Sequence, residues 1–175
     1  SAKVSFTNFN GAAGTINNWA NTTDTGLSGQ LEQFGLVFLN GYVYHVGGYD
    51  GPTVLDTVRY ARVKNDGTLD NWVTSPNTLP EARLWHGTVT VNGYIYVIGG
   101  HSSVATPTNP AVYFAKVNAD GTVGTWSSTT SIPSPRIRIT HSVAAANGYI
   151  YVVGGENSSA QTTVWYAKVN ADGTV

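Results

Sequence analysis

An internal repeat of 52 to 55 residues, measured between equivalent glycines at 47, 99 and 154, is what most limits the folds open to this chain. Asn40-Gly41-Tyr42-Val43-Tyr44-His45-Val46-Gly47-Gly48 returns as Asn92-Gly93-Tyr94-Ile95-Tyr96-Val97-Ile98-Gly99-Gly100. It returns again as Asn147-Gly148-Tyr149-Ile150-Tyr151-Val152-Val153-Gly154-Gly155. Two further marks keep the same beat. Tyr60-Ala61-Arg62-Val63, Phe114-Ala115-Lys116-Val117 and Tyr166-Ala167-Lys168-Val169 each run toward an Asp-Gly pair, and Trp19, Trp72 and Trp126 fall 53 and 54 residues apart. A fixed period of this length makes each repeat one supersecondary unit that buries its apolar faces against its neighbours.

Each unit reads as four antiparallel strands. Residues 34–39, 86–91 and 141–146 form the first and run into Asn-Gly, a pair at ease with positive φ and suited to a two-residue hairpin. Residues 42–46, 94–98 and 149–153 form the second, apolar at almost every position, as expected of a strand covered on both faces. A Gly-Gly pair and a polar loop lead to a third strand. It ends at Asp66-Gly67, Asp120-Gly121 or Asp172-Gly173, a second hairpin signal, and a fourth strand carries the Trp. The first strands are small, as in Ser142-Val143-Ala144-Ala145-Ala146, which suits an innermost position where units taper together around an axis. The first repeat is bulkier there, with Phe34-Gly35-Leu36-Val37-Phe38-Leu39. The expected fold is all-β: propeller blades of four antiparallel strands, three to the chain.

Composition narrows the function classes. Charged residues make up 11% of the 175 and the net charge is −1, so no electrostatic footprint favours nucleic acid or an anionic membrane. No apolar run approaches the roughly 20 residues a spanning helix needs. There is no cysteine, hence no disulfide, thiolate metal site or cysteine nucleophile. Low charge with abundant Gly, Ser, Thr and Asn inclines the reading toward an extracellular or cell-surface protein.

Paired glycines after an apolar strand, a Trp 25 residues beyond Gly47 and a period near fifty together resemble kelch repeats. The resemblance implies four-stranded blades around a channel and a role in binding proteins or glycans. It also implies an Arg and a His ahead of the innermost strand, matched by Arg83 with His86 and by Arg138 with His141; Leu31 and Phe34 stand there in the first repeat. Kelch-type propellers include a copper oxidase, whose cross-linked tyrosine needs a cysteine this chain lacks, and a sialic-acid mutarotase, which needs a few polar groups at the channel.

Loops carry function when a rigid scaffold positions them, so the non-repeated polar and aromatic residues there are the candidates for binding. Tyr49, Asp50, His101, Glu156 and Asn157 follow the Gly-Gly pairs, and Trp85 and Arg136 lie in connections entering a blade. Trp165, also unrepeated, shares the reasoning. Structural roles are expected for Gly47, Gly48, Gly99, Gly100, Gly154 and Gly155, where positive φ or close approach excludes a side chain. They are expected too for Trp19, Trp72 and Trp126 between blades, and for His86 and His141, whose repetition suits hydrogen bonding inside the scaffold. One Asp per turn cannot supply the six to eight oxygens of a calcium site, so Asp66, Asp120 and Asp172 read as hairpin chemistry. No catalytic residue, metal or cofactor is assigned.

The expected organisation is an amino-terminal strand segment over 1–30 that completes another blade, then blades at 31–80, 81–135 and 136–175, the last without its fourth strand. Gly14-Thr15-Ile16-Asn17-Asn18-Trp19 reads as a fourth strand with no blade ahead of it. A longer propeller, or exchange of this strand between identical chains into a six-bladed dimer or open fibre, reconciles the two ends. The function expected is a non-catalytic module for protein or glycan binding that self-associates. The alternatives are a subunit of an extracellular filament and a mutarotase-like sugar enzyme.

Overall fold

The computed structural model describes residues 5–7, 13–15, 26–27, 31–102 and 109–175. Trp19 and the rest of the expected fourth strand, residues 16–19, lie outside them. Near the amino terminus, β1 (Ser5–Thr7) pairs antiparallel with β2 (Ala13–Thr15). Blade 1 is the sheet β3 (Gly35–Leu39), β4 (Tyr42–Val46), β5 (Val58–Arg62) and β6 (Val73–Thr74). Blade 2 repeats it with β7 (Gly87–Val91), β8 (Tyr94–Ile98), β9 (Val112–Lys116) and β10 (Ser127–Thr129). Blade 3 pairs β11 (Val143–Ala146), β12 (Tyr149–Val153) and β15 (Val164–Lys168); a small hairpin of β13 (Glu156–Asn157) and β14 (Ser159–Ala160) stands in its loop. All pairings are antiparallel, and no helix occurs among the described residues.

Local chemistry accounts for these elements. Both residues of each Asn-Gly pair have positive φ, 52° and 84° at Asn40-Gly41, as a type I′ hairpin turn requires. At the other hairpin Asp66, Asp120 and Asp172 each accept the backbone N–H and the hydroxyl of the Thr two residues on, at 2.6–3.0 Å. Those bonds, the hydroxyl first, hold the three carboxyls below the usual range.

Three boundaries differ from the sequence reading. β3 and β7 begin at glycine, one residue late, because each crosses the neighbouring innermost strand there. A methyl on Gly35 would overlap Thr88, and one on Gly87 would overlap Val143. In blade 3 the strand waits until Val143, since residues 140–142 form a turn, with Ser142 N–H donating to Ile139 O at 3.0 Å. Trp72 and Trp126 stand just before β6 and β10 and not within them.

β7 packs between β3 and β11, so the first strands are innermost. Outward from them lie two apolar cores. Tyr44, Val46, Val58 and Leu79 of blade 1 meet Ile95, Val97, Ala115 and Trp126 of blade 2. Tyr96, Ile98, Val112 and Phe114 of blade 2 meet Ile150, Val152 and Val169 of blade 3. A tyrosine bolts each pair of blades: the Tyr44 hydroxyl donates to Gly121 O at 2.9 Å, and the Tyr96 hydroxyl to Gly173 O at 2.7 Å. Burial, the first cause, raises both phenol pKa values, that of Tyr96 to about 12, which keeps them as donors.

Candidate functional site

Three backbone positions build the site. Gln33, Trp85 and Arg138 lie in the connections entering the three blades, with φ of 59°, 54° and 55°. A left-handed conformation costs a non-glycine residue roughly 1–3 kcal/mol and persists only where its surroundings dictate it. Here antiparallel bridges one residue earlier dictate it: Glu32 with Tyr49, Leu84 with His101, Ile137 with Glu156. The connections are tied to one another as well. Trp85 N–H donates to Gln33 O at 3.1 Å, and Ile139 N–H to Trp85 O at 3.3 Å. The same kink is thus made three times, carrying an amide, an indole and a guanidinium.

These side chains line a concavity of about 760 Å³ with Phe34, Leu36, Thr140, His141 and Ser142. The His101 ring meets the half-buried Trp85 edge-on, 5.6 Å between centroids, and the Arg138 guanidinium lies 5.2 Å from the indole centroid. Arg138 in turn donates to Glu156 Oε2 at 2.9 Å, an ion pair open to solvent. Trp85, His101 and Glu156, three of the residues singled out in the sequence, are therefore brought together, with Arg138 joining them.

The other candidates lie elsewhere. Tyr49 bridges Glu32 and Val54, and Asp50 Oδ1 accepts Thr53 N–H at 2.8 Å; both shape the loop of blade 1. Asn157 donates to Ser134 Oγ at 3.0 Å. Arg136 is 2% exposed: it lies 4.2 Å over the Trp165 ring and donates to Ser134, Pro135, Gln161 and Thr163. Arg83, fully buried, does the same in blade 2, 5.2 Å from the Tyr113 ring and 2.8 Å from Glu81. Burial raises the Glu81 pKa, but the Arg83 bond and its other donors outweigh it and leave the carboxyl below its usual value.

The backbone makes Arg136 the counterpart of Arg83. Gly48 N–H donates to Arg83 O and Gly100 N–H to Arg136 O, both at 2.7 Å. The Arg-x-x-His spacing that aligned Arg138 and His141 with Arg83 and His86 is two residues out of register, because of the extra turn at 140–142. Ile139 takes the place of His86 beside the glycine corner: His86 Cε1 lies 3.1 Å from a Cβ built on Gly47, and Ile139 Cδ1 3.2 Å from one on Gly99. His86 is buried, with no hydrogen-bond partner on either ring nitrogen among the described residues. Burial, then the Arg83 charge, push its pKa down to about 3, against a smaller upward pull from the Val46 backbone. His141, expected to share that environment, is exposed at the wall of the concavity. Gln33 and Arg138 escaped notice as site residues, and a repeat alignment anchored on the glycine corners recovers both.

Residues 83–110 match the family model of the Kelch motif. That match lies in the second repeat, and three antiparallel sheets of three to four strands are consistent with kelch-like propeller blades. No curated protein matches the chain. The kelch match begins at Arg83, runs through β7, β8 and the Gly99-Gly100 corner, and so contains Trp85 and His101. Among the described residues no group of three or more His, Asp or Glu is placed to hold a metal ion.

Proposed function

We propose that the chain is a non-catalytic kelch-type binding module whose ligand seat is the axial concavity and whose ligand is a glycan laid against Trp85. The observation that carries this reading is the triple kink, one backbone conformation presenting three unlike side chains. A purely structural position tends to repeat its residue along with its backbone, as Arg83 and Arg136 do, whereas this one varies where the side chains converge. An indole ringed by the amide of Gln33, the imidazole of His141 and the hydroxyls of Thr140 and Ser142 offers a stacking face for a sugar ring and partners for its hydroxyls. The Arg138 charge is already neutralised by Glu156, which favours a ligand of low charge.

An immobilised glycan panel followed by calorimetric titration of the retained glycans tests this. Trp85→Ala is expected to weaken binding at least about tenfold with little change in melting temperature, as for an anchor at the centre of a contact. Unchanged affinity in Trp85→Ala moves the seat elsewhere. An empty panel leaves a protein loop, the second reading, as the ligand.

A further inference from the structure

Blade 3 repeats a buried guanidinium of blade 2 without repeating the acid that faces it. Arg83 and Arg136 hold the same place in their blades, yet only Arg83 meets a carboxylate. Glu81, two residues ahead, lies 2.8 Å from Arg83 Nη2 and also accepts from Asn109 Nδ2 at 3.1 Å, the Tyr113 hydroxyl at 3.4 Å and Ser102. The backbone fixes the counterparts in blade 3. Asn109 and Gln161 each donate a backbone N–H to the carbonyl of the second corner glycine at 2.9 Å, and Tyr113 and Trp165 pair with the equivalent residues Val97 and Val152. Ser134 therefore stands for Glu81, Gln161 for Asn109, Asn157 for Ser102 and Trp165 for Tyr113. The donors around the acid persist as a guanidinium and two side-chain amides. The acid itself gives way to a hydroxyl, which accepts from Arg136 Nη1 at 3.1 Å and from Asn157 Nδ2 at 3.0 Å.

The surroundings of Arg136 are otherwise neutral. Its remaining acceptors are Pro135 O, Gln161 Oε1 and Thr163 Oγ1, and its Nε has no partner among the described residues. None of the ion pairs among those residues includes it, and the one acid outside them is Asp24, ahead of blade 1. The Trp165 face lies under the guanidinium but carries no charge. A buried cation without a counter-charge is costly, and a carboxylate meeting it in the guanidinium plane offsets that cost. The place is open to such an approach. Arg83 is fully buried, yet the Glu81 side chain that reaches it is 41% exposed; in blade 3 the shorter Ser134 lies on this path, and Thr163 is exposed. We infer that blade 3 binds the carboxylate of a small organic acid here, held by Arg136 and by the amides of Gln161 and Asn157. The bond from Nη2 to Gln161, at 3.3 Å the longest of the four Arg136 makes, is the one the ligand displaces. All of these groups fall within residues 134–163, in the loops of one blade. The inference is independent of the axial concavity.

Titration of the full-length chain with acetate, against acetamide as its uncharged counterpart at fixed ionic strength, tests it. Acetate is expected to raise the melting temperature saturably, with half-saturation at roughly millimolar concentration, and to shift the Trp165 indole resonance; acetamide does neither. Ser134→Glu supplies the carboxylate from within the chain, as Glu81 does in blade 2. It is expected to melt above the wild type and to weaken acetate binding at least about tenfold. Ser134→Gln, of the same size without the charge, is expected to lack that gain in stability. Glu81→Ser makes the reverse exchange and is expected to lower the melting temperature and to add a second acetate response. Should Glu81→Ser fail to fold, the comparison of Ser134→Glu with Ser134→Gln decides. Equal effects of acetate and acetamide, an acetate response that survives Ser134→Glu, or a Ser134→Glu variant no more stable than Ser134→Gln overturns the inference.

Discussion

Gly99 and Gly154 hold nearly the same φ, 62° and 63°, yet their surroundings differ. A Cβ on Gly99 would come within 2.6 Å of Arg136 O, a backbone atom of the next connection, while one on Gly154 would meet Gln161 O at 3.0 Å. Gly99→Ala therefore adds a backbone collision to the left-handed strain and is expected to cost about 3 kcal/mol. Gly154→Ala is expected to cost about 1–2 kcal/mol, mostly strain. Urea denaturation of the two variants checks the order, and equal losses would show that strain alone governs the corner. The buried histidines make the other prediction at this scale. His86 and His45 titrate near 3 and 4 when folded, through burial first, against 6.5 for the free side chain. The unfolded chain thus binds more protons between those values, and stability falls as pH drops from about 6.5, by about 1.4 kcal/mol per pH unit for each histidine. Above pH 6.5 the two contribute no slope. The wild type is expected to lose stability more steeply than His86→Leu as the pH falls through this window, and denaturation midpoints of the two check the difference in slope.

Among the elements, the second strand carries a tyrosine that joins neighbouring blades. Tyr44 and Tyr96 reach the carbonyls of Gly121 and Gly173 in the next blade, while the hydroxyl of Tyr151, at the same place in β12, has no such partner among the described residues. Tyr96→Phe leaves the Gly173 carbonyl short of a partner and is expected to cost about 1–2 kcal/mol, and Tyr151→Phe much less. Thermal melts of the two variants settle the comparison, and the Tyr96→Phe loss is expected with faster amide exchange at the 172–174 turn. The strands themselves were legible in the repeat: 42–46, 94–98 and 149–153 are β4, β8 and β12 to the residue, because Asn-Gly and Gly-Gly mark both ends. The start of β11 was not, since the turn at 140–142 carries neither glycine nor proline.

Over the whole molecule the net charge of −1 and the Arg138–Glu156 pair leave the axial concavity without a strong field. Raising the salt from low to high is therefore expected to change affinity for a retained glycan by less than about threefold, since screening acts on unpaired long-range charge. A steep loss with salt, read by calorimetry, would point instead to an anionic ligand drawn to Arg138.

By itself the sequence determined the blades: their number, strand order, turns and the glycines at their corners. All of these follow from short-range rules of φ, alternation and repeat period, which act within one unit and recur in the next. Tertiary structure alone decided which side chains meet at the axial concavity. Gln33, Trp85 and Arg138 lie more than fifty residues apart in the chain, and their convergence depends on how the blades pack about the axis. It also decided that Arg136, a candidate for binding, is buried against Trp165, and that His141 is exposed while His86 is buried. A two-residue change in a connection leaves the local pattern looking intact and moves each later side chain into a different environment, a shift that only the bonds between blades record.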